Sequence, residues 1–401
     1  MNNFIKKKIC ICTQSHLCRN PRVLKEALTL SAAGYTVIIL TAVYSDNLLQ
    51  QDLELIRNTT IQYRFYSDLR HINLKSITDR FTKKFASLLE RTFHINNKSA
   101  LGYGANRLRN TSAGLHADLY IMHQELATYM GTRLIKKGFR VAFDLEDWYS
   151  EDLLPEAQRK RPINLLRESE SIALKKGVFC TTTSEALAKK LAEFYSATPP
   201  WVIYNVFNSY NFPAEKKFAS PLKLFWFSQT IGPGRGLEEF ISMLHSIDTC
   251  LELHLLGNIE NEYKTRLQLS MPGQHKLYLH PMVSADELLH KIAGFDIGLA
   301  LELSSPPSRN YTITNKFFQY LQAGLPVIAS ETEGQNEGFE QFKPGFKLSQ
   351  QPNLNQVTAL KNWLNDTAAL KLAREKAIAT AGVYNWENES NKLLGLLEQA
   401  F

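Results

Sequence analysis

The feature that most constrains this chain is an alternation of short apolar runs with helical segments. The run KICIC at residues 8–12 is followed by a helical stretch from Pro21 to Gly34, and then by the run YTVIILT at residues 35–41. A glycine is typical just after a helix end, and a continuous β-branched run is typical of a parallel strand buried on both faces. The order strand, helix, strand predicts a right-handed βαβ unit.

The same alternation continues through the chain and divides it in two. We predict an N-terminal Rossmann-like domain at residues 1–205, completed by a closing helix at 386–401 that crosses back to it, and a second Rossmann-like domain at 206–385. A polar linker with Pro213 joins them. Further strands are predicted at 118–122, 138–145, 178–182 and 201–204, and then in KLFWFS, LELHLLG, KLYLH, DIGLALE and PVIAS. Two doubly wound α/β domains place a ligand cleft between the carboxyl ends of their sheets.

Composition excludes several classes of protein. Hydrophobic residues make up 44% of the chain and charged residues 21%, as in an average soluble globular protein and unlike a disordered or coiled-coil one. The five cysteines are an odd number without metal-finger spacing, which favours a reducing compartment. No apolar run is long enough for a signal peptide or a spanning helix. We expect a cytoplasmic protein without a nucleic-acid partner, at most resting on a membrane.

One segment carries a concentrated positive charge. Residues 64–109 contain ten lysines or arginines and three acids, a net +7 that equals the charge of the whole chain. Within it, ITDRFTKKFASLLERTF places Ile77, Phe81 and Phe85 at helical spacing with basic residues between them. One interpretation is a surface helix that packs its apolar stripe on the sheet. The other is a site for an anionic membrane surface or acceptor, which would put the protein at the inner face of the cell membrane.

Two patterns in the second half favour phosphate binding. The first is QTIGPGRGLEEF, in which Gly234, Arg235 and Gly236 lie between a strand and a helix. Glycines let backbone N–H groups approach a phosphate, and arginine adds bidentate charge. The second is the run NKFFQYLQAGLPVIAS, in which Asn315 and Lys316 open a helix and Gln319 follows one turn later. A lysine in a first helical turn either points into solvent or has an anion nearby.

These two patterns together resemble the GT-B glycosyltransferases, especially retaining family 4 of the bacterial surface-polysaccharide type. The run NKFFQYLQAGLPVIAS is similar to that family's donor-site helix, and GPGRGLEEFI to its glycine–arginine loop. HLLGN and YLHPMVSADELLHKIAGFDIGLA follow in the family's order. The resemblance covers residues 222–340 well and the N-terminal half more loosely. It implies a two-domain fold and transfer of a sugar from a nucleotide-sugar donor.

The resemblance also assigns donor-site roles. Arg235 and Lys316, with Gly234 and Gly236, would hold the donor diphosphate. Gln319 stands where the family has a glutamate for the ribose hydroxyls, and Tyr311 replaces its earlier glutamate. Further donor contacts are expected at Asn258, Met282 and Asn315. No cofactor beyond the nucleotide-sugar co-substrate is implied, and no metal ion is expected.

An acidic segment follows one predicted strand of the first half. Residues 143–152 read FDLEDWYSED, where the family usually has Asp-x-His-Asp, so Glu146 stands at the histidine position. A carboxylate at a strand's carboxyl end can orient or deprotonate an acceptor hydroxyl. The alternative is an acidic helix N-terminus. We take Glu146 and Asp147 as candidate catalytic residues, although Asp147 is expected to turn away and bind backbone N–H groups.

Acceptor contacts are expected from the first loop and from one later histidine. The family has a glycine-rich stretch where this chain has SHLCRN, so side chains are expected to make the contacts. Ser15, His16 and Arg19, together with Arg22, would face the cleft, and His123 follows the strand DLYIM. The alternative is a structural role, which is the more frequent one for a lone histidine.

The combined interpretation is a hexosyltransferase-type enzyme that moves a sugar to a glycan or lipid-linked acceptor. The resemblance implies retention of configuration, whereas a carboxylate at Glu146 also suits an inverting base. The alternatives are a non-catalytic relative that binds a nucleotide sugar or glycan, and a sugar-nucleotide epimerase of the same fold, because fold similarity does not fix the reaction.

Overall fold

A computed structural model describes residues 7–210, 216–218 and 220–401. This part of the chain forms two compact units. Unit 1 holds the described residues up to 183 together with residues 187–203 and 390–401, and unit 2 holds residues 184–186 and the described residues of 204–389. Pro213 of the predicted linker lies outside the described residues.

Each unit contains one sheet. The strands of unit 1 are β1 Lys8–Cys12, β2 Thr36–Val43, β3 Gln62–Asp68, β4 Leu119–His123, β5 Val141–Leu145, β6 Cys180–Thr182 and β7 Trp201–Val202. The strands of unit 2 are β8 Leu222–Ile231, β9 Leu251–Ile259, β10 Lys276–His280, β11 Ile297–Ala300, β12 Val327–Ser330 and β13 Gly345–Leu348.

Helices follow most of the strands. The helices up to residue 195 are α1 Pro21–Ala32, α2 Asp46–Leu55, α3 Leu74–Phe93, α4 Ala105–Leu115, α5 Gln124–Ile135, α6 Pro155–Gln158, α7 Ile163–Lys176 and α8 Glu185–Tyr195. Those after it are α9 Leu237–Leu244, α10 Asn261–Ser270, α11 Ala285–Ala293, α12 Pro307–Tyr311, α13 Asn315–Gln322, α14 Glu333–Glu337, α15 Leu354–Asn365, α16 Thr367–Val383 and α17 Trp386–Ala400.

Both sheets are parallel and reverse their strand order once. The orders are β3-β2-β1-β4-β5-β6-β7 and β10-β9-β8-β11-β12-β13. The reversal falls between β1 and β4 in unit 1 and between β8 and β11 in unit 2. Open α/β sheets bind their ligands outside the strand carboxyl ends at such points. The predicted α/β class with two doubly wound units is confirmed, and α17 begins in unit 2 and ends in unit 1.

The boundaries of several elements differ from the prediction. Helix α2 and strand β3 were not indicated, since β3 is an edge strand of sequence QYRFYSD with no regular alternation of buried residues. Strand β8 extends through Gln229–Ile231, where Thr230 pairs with Asn258 after a shift in register. A helix over residues 354–378, expected from the sequence in addition to the one at 386–401, is divided at Asp366, whose side chain caps α16.

Helix α3 exposes its apolar side. Its buried residues are Ser76, Asp79, Ala86 and Glu90, whereas Phe81 and Phe85 are 67% and 51% exposed. Packing of this stripe on the sheet, one of the two interpretations above, is therefore wrong. None of the helices in the described ranges combines the length and apolar content needed to span a bilayer.

Candidate functional site

A buried ion pair lies at the strand-order reversal of unit 1. Helix α1 begins just after β1, with Asn20 as N-cap and Pro21 as first residue, and this places Arg22 opposite the carboxyl end of β5. The Arg22 guanidinium donates to both carboxylate oxygens of Asp144, from Nε at 2.5 Å and from Nη2 at 2.8 Å. Both side chains are fully buried. Asp144 is held ionised, because Arg22 and His123 outweigh the effect of burial and keep its pKa well below its usual range.

His123, the last residue of β4, lies between three carboxylates. Its Nε2 is 2.9 Å from Glu26 Oε2, and its Nδ1 is 3.0 Å from Asp144 Oδ2 and 3.2 Å from Glu146 Oε1. Burial alone would lower the pKa of His123, but these carboxylates outweigh it and raise the pKa well above its usual value. Because the ring is fully buried, the expectation that His123 contacts an acceptor is corrected.

Glu146 is the member of this cluster that reaches solvent. Its side chain is 19% exposed, and its Oε1 also accepts a hydrogen bond from Asn20 Nδ2 at 3.4 Å. Within the described chain, both contacts of this carboxylate are made through Oε1. Glu146 therefore combines a fixed orientation with a partly exposed carboxylate.

Asp147 differs from the expectation. No hydrogen bond to its carboxylate is found among the described residues, so the predicted bonds to backbone N–H groups are not present. Burial, followed by the nearby charges of Asp152, Glu146 and Asp144, raises the pKa of Asp147. The raised pKa favours the protonated form of this half-buried carboxyl.

The first loop offers fewer ligand groups than predicted. His16 is fully buried, its Nδ1 is 2.5 Å from Asp52 Oδ2, and its Nε2 accepts from the Tyr44 backbone N–H at 3.0 Å. Both ring nitrogens are thus occupied, and the prediction that His16 faces a ligand is corrected. The prediction that Arg22 faces a ligand is also corrected, because its guanidinium is buried and bonds to Asp144 and to the Ile203 carbonyl oxygen. Ser15 is half-buried and bonds to Gln124, and Arg19 is exposed.

The glycine–arginine turn of unit 2 lies at the other strand-order reversal. Gly234 and Gly236 have φ values of 74° and 79°, a region that favours glycine. At Gly236 a Cβ atom would also approach Leu301 Cβ to 3.2 Å. The turn places Arg235 Nη1 3.2 Å from Glu302 Oε2. Glu302 follows β11 and its side chain is 4% exposed.

Two further cations complete this arrangement. Arg309 Nη1 lies 3.4 Å from Glu302 Oε1 and donates to the Gly234 carbonyl oxygen at 2.9 Å. Lys316, in the first turn of α13, has its Nζ 5.1 Å from the ring centroid of Trp226. Burial lowers the pKa of Lys316 to about 8, with Glu302 opposing and Arg235 and Arg309 adding to this shift. When Lys316 is protonated, three cations share one carboxylate, and the excess positive charge suits a polyanion.

The other predicted donor contacts are accessible side chains of unit 2. Asn258 at the end of β9, Met282 after β10 and Asn315 at the start of α13 are exposed, and Gln319 is half-buried one turn after Lys316. Two residues of the site, Glu302 and Arg309, carry no signal in the sequence that would have selected them. Glu302 belongs to an apolar strand end, LALEL, and Arg309 belongs to the proline-containing run SSPPSR, which has no periodicity that predicts the short helix α12.

One group of side chains has spacing suited to a metal ion. Glu26, His123 and Asp144 present ligand atoms within 4.8 Å of one another. Arg22, however, binds both oxygens of Asp144 and lies 3.7 Å from Glu26. A cation already neutralises these carboxylates, so this donor set does not fit a resident metal. The expected absence of a metal elsewhere stays a prediction.

Comparison with solved structures gives the class of fold. The chain has a GT-B-like fold. It is similar to a sucrose-phosphate synthase from Thermosynechococcus elongatus, at 15% identity, TM-score 0.68, and coverage of 98% of this chain and 99% of that one.

It is similar to Anabaena HepE in complex with UDP and glucose, at 15% identity, TM-score 0.65 and the same coverage. A mutant of S. aureus TarM, solved with fondaparinux, alpha-GlcNAc-glycerol and UDP, gives 9% identity, TM-score 0.65 and coverage of 97% of this chain and 99% of that one. No protein-family profile and no curated protein sequence matches the chain.

Proposed function

We propose that this protein is a glycosyltransferase that moves a sugar from a nucleotide-sugar donor to a glycan or lipid-linked acceptor in polysaccharide or glycolipid synthesis. The observation that carries the proposal is a set of three cations at the buried carboxylate of Glu302: Arg235 and Arg309 pair with it, and Lys316 is near enough to interact with its charge. Charge develops on a nucleoside diphosphate as it departs, and fixed cations stabilise it. Solved proteins of the same fold contain UDP or UDP-glucose, which supports a donor of this class.

Unit 2 is the proposed donor-binding domain. Arg235 and Lys316 contact the diphosphate, and backbone N–H groups at Gly234 and Gly236 approach it. Gln319 accepts a ribose hydroxyl through its amide oxygen, which lacks the charge of a carboxylate. Asn258, Met282 and Asn315 provide further donor contacts. These cations supply the neutralisation that other phosphate-transfer sites take from a metal ion, so the proposed reaction is metal-independent.

We propose that unit 1 binds the acceptor and provides the side chains that take part in the reaction. Glu146 has one oxygen fixed by His123 and Asn20, and it acts on the acceptor hydroxyl or on the positive charge that develops at the transferred sugar. Asp147 contributes a proton-carrying carboxyl beside it. Ser15 and Arg19 contact the acceptor. A hexosyl donor and retention of configuration complete the proposal, with inversion by Glu146 as base as the alternative stereochemical outcome.

Helix α3 supports a peripheral position at an anionic membrane surface. Leu74, Ile77, Phe81, Phe85 and Leu88 are between 49% and 85% exposed, and rings of Phe81 and Phe85 stack with centroids 6.1 Å apart. The two acids of the helix, Asp79 and Glu90, are buried. The exposed charges of α3 are therefore all positive, at Lys75, Arg80, Lys84 and Arg91. Apolar side chains flanked by cations suit the headgroup region of an anionic lipid layer.

A non-catalytic nucleotide-sugar binder is the second candidate. It is favoured by Tyr311 and Gln319, which replace two glutamates of the family that the sequence resembles. Such a protein would bind the donor without consuming it, whichever acceptor is supplied. An epimerase would convert its donor with no acceptor at all.

The test is a thermal-shift panel with UDP-, GDP-, ADP- and CMP-linked sugars, followed by hydrolysis and transfer assays on whichever donor binds. A CMP-linked sugar carries one phosphate, so it serves as the control for a site built for a diphosphate. We expect one nucleoside-diphosphate sugar to raise the melting temperature of the wild type and not of Arg235→Ala. Absence of any shift at millimolar donor would overturn the donor-site assignment.

A further inference from the structure

The surroundings of His123 fix the protonation of its ring. Carboxylate oxygens lie within 3.2 Å of both ring nitrogens, that of Glu26 at Nε2 and those of Asp144 and Glu146 at Nδ1. A neutral imidazole donates from one nitrogen and accepts at the other, whereas an imidazolium donates from both. A neutral ring would direct a lone pair at an ionised carboxylate. With these carboxylates ionised, the contacts favour the doubly protonated, positively charged form.

Charges in the cluster are distributed unevenly. Two cations, Arg22 and His123, face three carboxylates. Arg22 binds Asp144 through two hydrogen bonds and lies 3.7 Å from Glu26, and its Nη1 donates to the Ile203 carbonyl oxygen at 2.7 Å. The contacts of Glu146 are instead the His123 ring and the Asn20 amide. Among the described residues, His123 is thus the one cation in direct contact with the partly exposed carboxylate.

We propose that His123 is a positioning residue, a buried cation that holds Oε1 of Glu146 and leaves Oε2 turned towards the ligand. Glu26 and Asp144 are the counter-ions that keep the ring charged. This inference rests on the proposed function only for the chemistry assigned to Glu146. It adds a dependence on Glu26, which is on a different element and is buried.

The arrangement has a consequence for the pH range in which Glu146 works. The charged and titratable groups around it are Arg22 and Glu26 on α1, His123 on β4, Asp144 on β5, and Asp147 and Tyr149 in the segment that follows. The ionised carboxylate of Asp144 disfavours a further negative charge beside it. A fixed imidazolium offsets this repulsion. Loss of that cation should therefore move the acid limb of activity to higher pH.

Nitrogen-15 NMR of the histidine side chains in the full-length chain tests the inference without donor or acceptor. The signals of His123 are assigned as those that disappear in the spectrum of His123→Gln. If that variant does not fold, the signals are assigned as those that shift in Glu26→Gln, since Glu26 contacts Nε2 of the ring. We expect both ring nitrogens of His123 to remain protonated at about pH 8, since a histidine without partners loses its proton near pH 6.5. A neutral ring at that pH overturns the inference.

The contact with Glu146 is tested separately by Glu146→Gln. We expect the Nδ1 signal of His123 to move in this variant and the Nε2 signal to stay, because Glu146 contacts only Nδ1. If neither signal moves, His123 does not hold Glu146. His275→Gln is the matched control, since His275 is a buried histidine of unit 2 whose ring bonds to the backbone at Leu251 and Leu244. Its loss should leave both His123 signals unchanged.

Activity provides a third measurement once a donor is identified. His123→Gln should lower kcat with little change in donor KM and move the acid limb of the pH–rate profile upward, whereas His275→Gln should leave that limb in place. An unmoved limb in His123→Gln contradicts a positioning role. If no donor is ever turned over, the proposed function fails, while the NMR results still decide the role of His123.

Discussion

Arg309 donates a hydrogen bond to the carbonyl oxygen of Gly234 at 2.9 Å. The contact joins the short helix α12 to the glycine turn after β8. Arg309 also pairs with Glu302, so one side chain fixes both the path of the turn and the carboxylate that Arg235 meets. The turn is held in its conformation before any ligand binds, and an arrangement that exists in advance costs less free energy to use.

Loss of a single cation should reduce catalysis strongly. Arg235→Ala and Lys316→Ala should each cost about 2–4 kcal/mol of transition-state stabilisation, as lost charge-stabilising donors do in other enzymes. The measurement is kcat/KM with the identified donor. Folding should survive, as judged by circular dichroism, because Arg235 is partly exposed and Lys316 is half-buried. Near-normal turnover in both variants would contradict the donor-site assignment.

Diphosphate binding should weaken as pH rises through about 8, the pKa of Lys316. The sign follows from burial, which lowers this pKa from 10.5, so that the amine loses its positive charge in that range. The measurement is the Kd of inorganic pyrophosphate by calorimetry between about pH 6.5 and 9.5. Lys316→Arg is the control, because a guanidinium stays charged throughout, and it should lack the loss of affinity near pH 8 because the ionisation of pyrophosphate is common to both proteins. An equal pH dependence in both proteins would assign the effect to another group.

Removal of the shared carboxylate should make the donor site depend on a bound anion. Glu302→Gln leaves Arg235, Arg309 and Lys316 without their counter-ion, and uncompensated like charges destabilise the folded state. We expect a lower melting temperature in low salt and a larger stabilisation by pyrophosphate than in the wild type. Glu331→Gln is the matched control, an exposed glutamate just after β12. If pyrophosphate stabilises Glu302→Gln no more than the wild type, Glu302 is not the counter-ion of the site.

Glu146 should affect transfer and not donor binding. Glu146→Gln should lower transfer by about 10²-fold or more, the usual range for a general base, while the thermal shift caused by the donor is kept. Asp147→Asn, its neighbour, should have a smaller effect on transfer, because Asp147 lacks the fixed contacts that orient Glu146. Unchanged transfer in Glu146→Gln would leave this carboxylate without a chemical role.

Helix α3 should bind anionic vesicles. Each basic residue near an anionic leaflet contributes about 1 kcal/mol, so sedimentation with phosphatidylglycerol-containing vesicles should capture the protein at low salt and release it above about 0.5 M salt, where the Debye length is a few ångströms. Lys83→Glu/Lys84→Glu should bind less. The matched control is Lys136→Glu/Lys137→Glu, which makes the same change of charge at two exposed lysines just after α5. It should bind nearly as well as the wild type. No sedimentation at any salt concentration contradicts the membrane proposal.

The regular parts of the fold could be predicted because local sequence decides them. Strand β1 and helix α1 lie where the apolar run and Pro21 place them. The face of α3 could not be predicted, since periodicity gives the angle between apolar side chains and does not say which side meets the sheet. Asp79 shows why the polar side is inside: it accepts a hydrogen bond from Ser67 at 2.5 Å and pairs with Arg107. Such partners are far away in sequence.

The candidate site was predictable only in part for the same reason. Glu146 and Arg235 follow strand ends and were recognisable from that position. His16 also follows a strand end, yet its ring is bonded to Asp52 and to the Tyr44 backbone. Both residues come after β2, and nothing in the sequence indicates that they contact His16. Glu302 and Arg309 can be recognised as site residues only from the structure, because they follow or lie in β11 and α12 and contact the turn after β8.

The division of unit 1 along the sequence has a consequence for how the protein is made. Residues 390–401 belong to this unit, where Phe401 stacks on Tyr35 and the Ala400 carbonyl oxygen accepts from Arg140. During synthesis these residues leave the ribosome only after all of residues 204–389. Unit 1 therefore cannot complete its fold until unit 2 has been synthesised. A fragment ending at residue 203 would lack Phe401, which stacks on Tyr35. Expression of the two units as separate pieces would need residues 390–401 to be grafted onto the first.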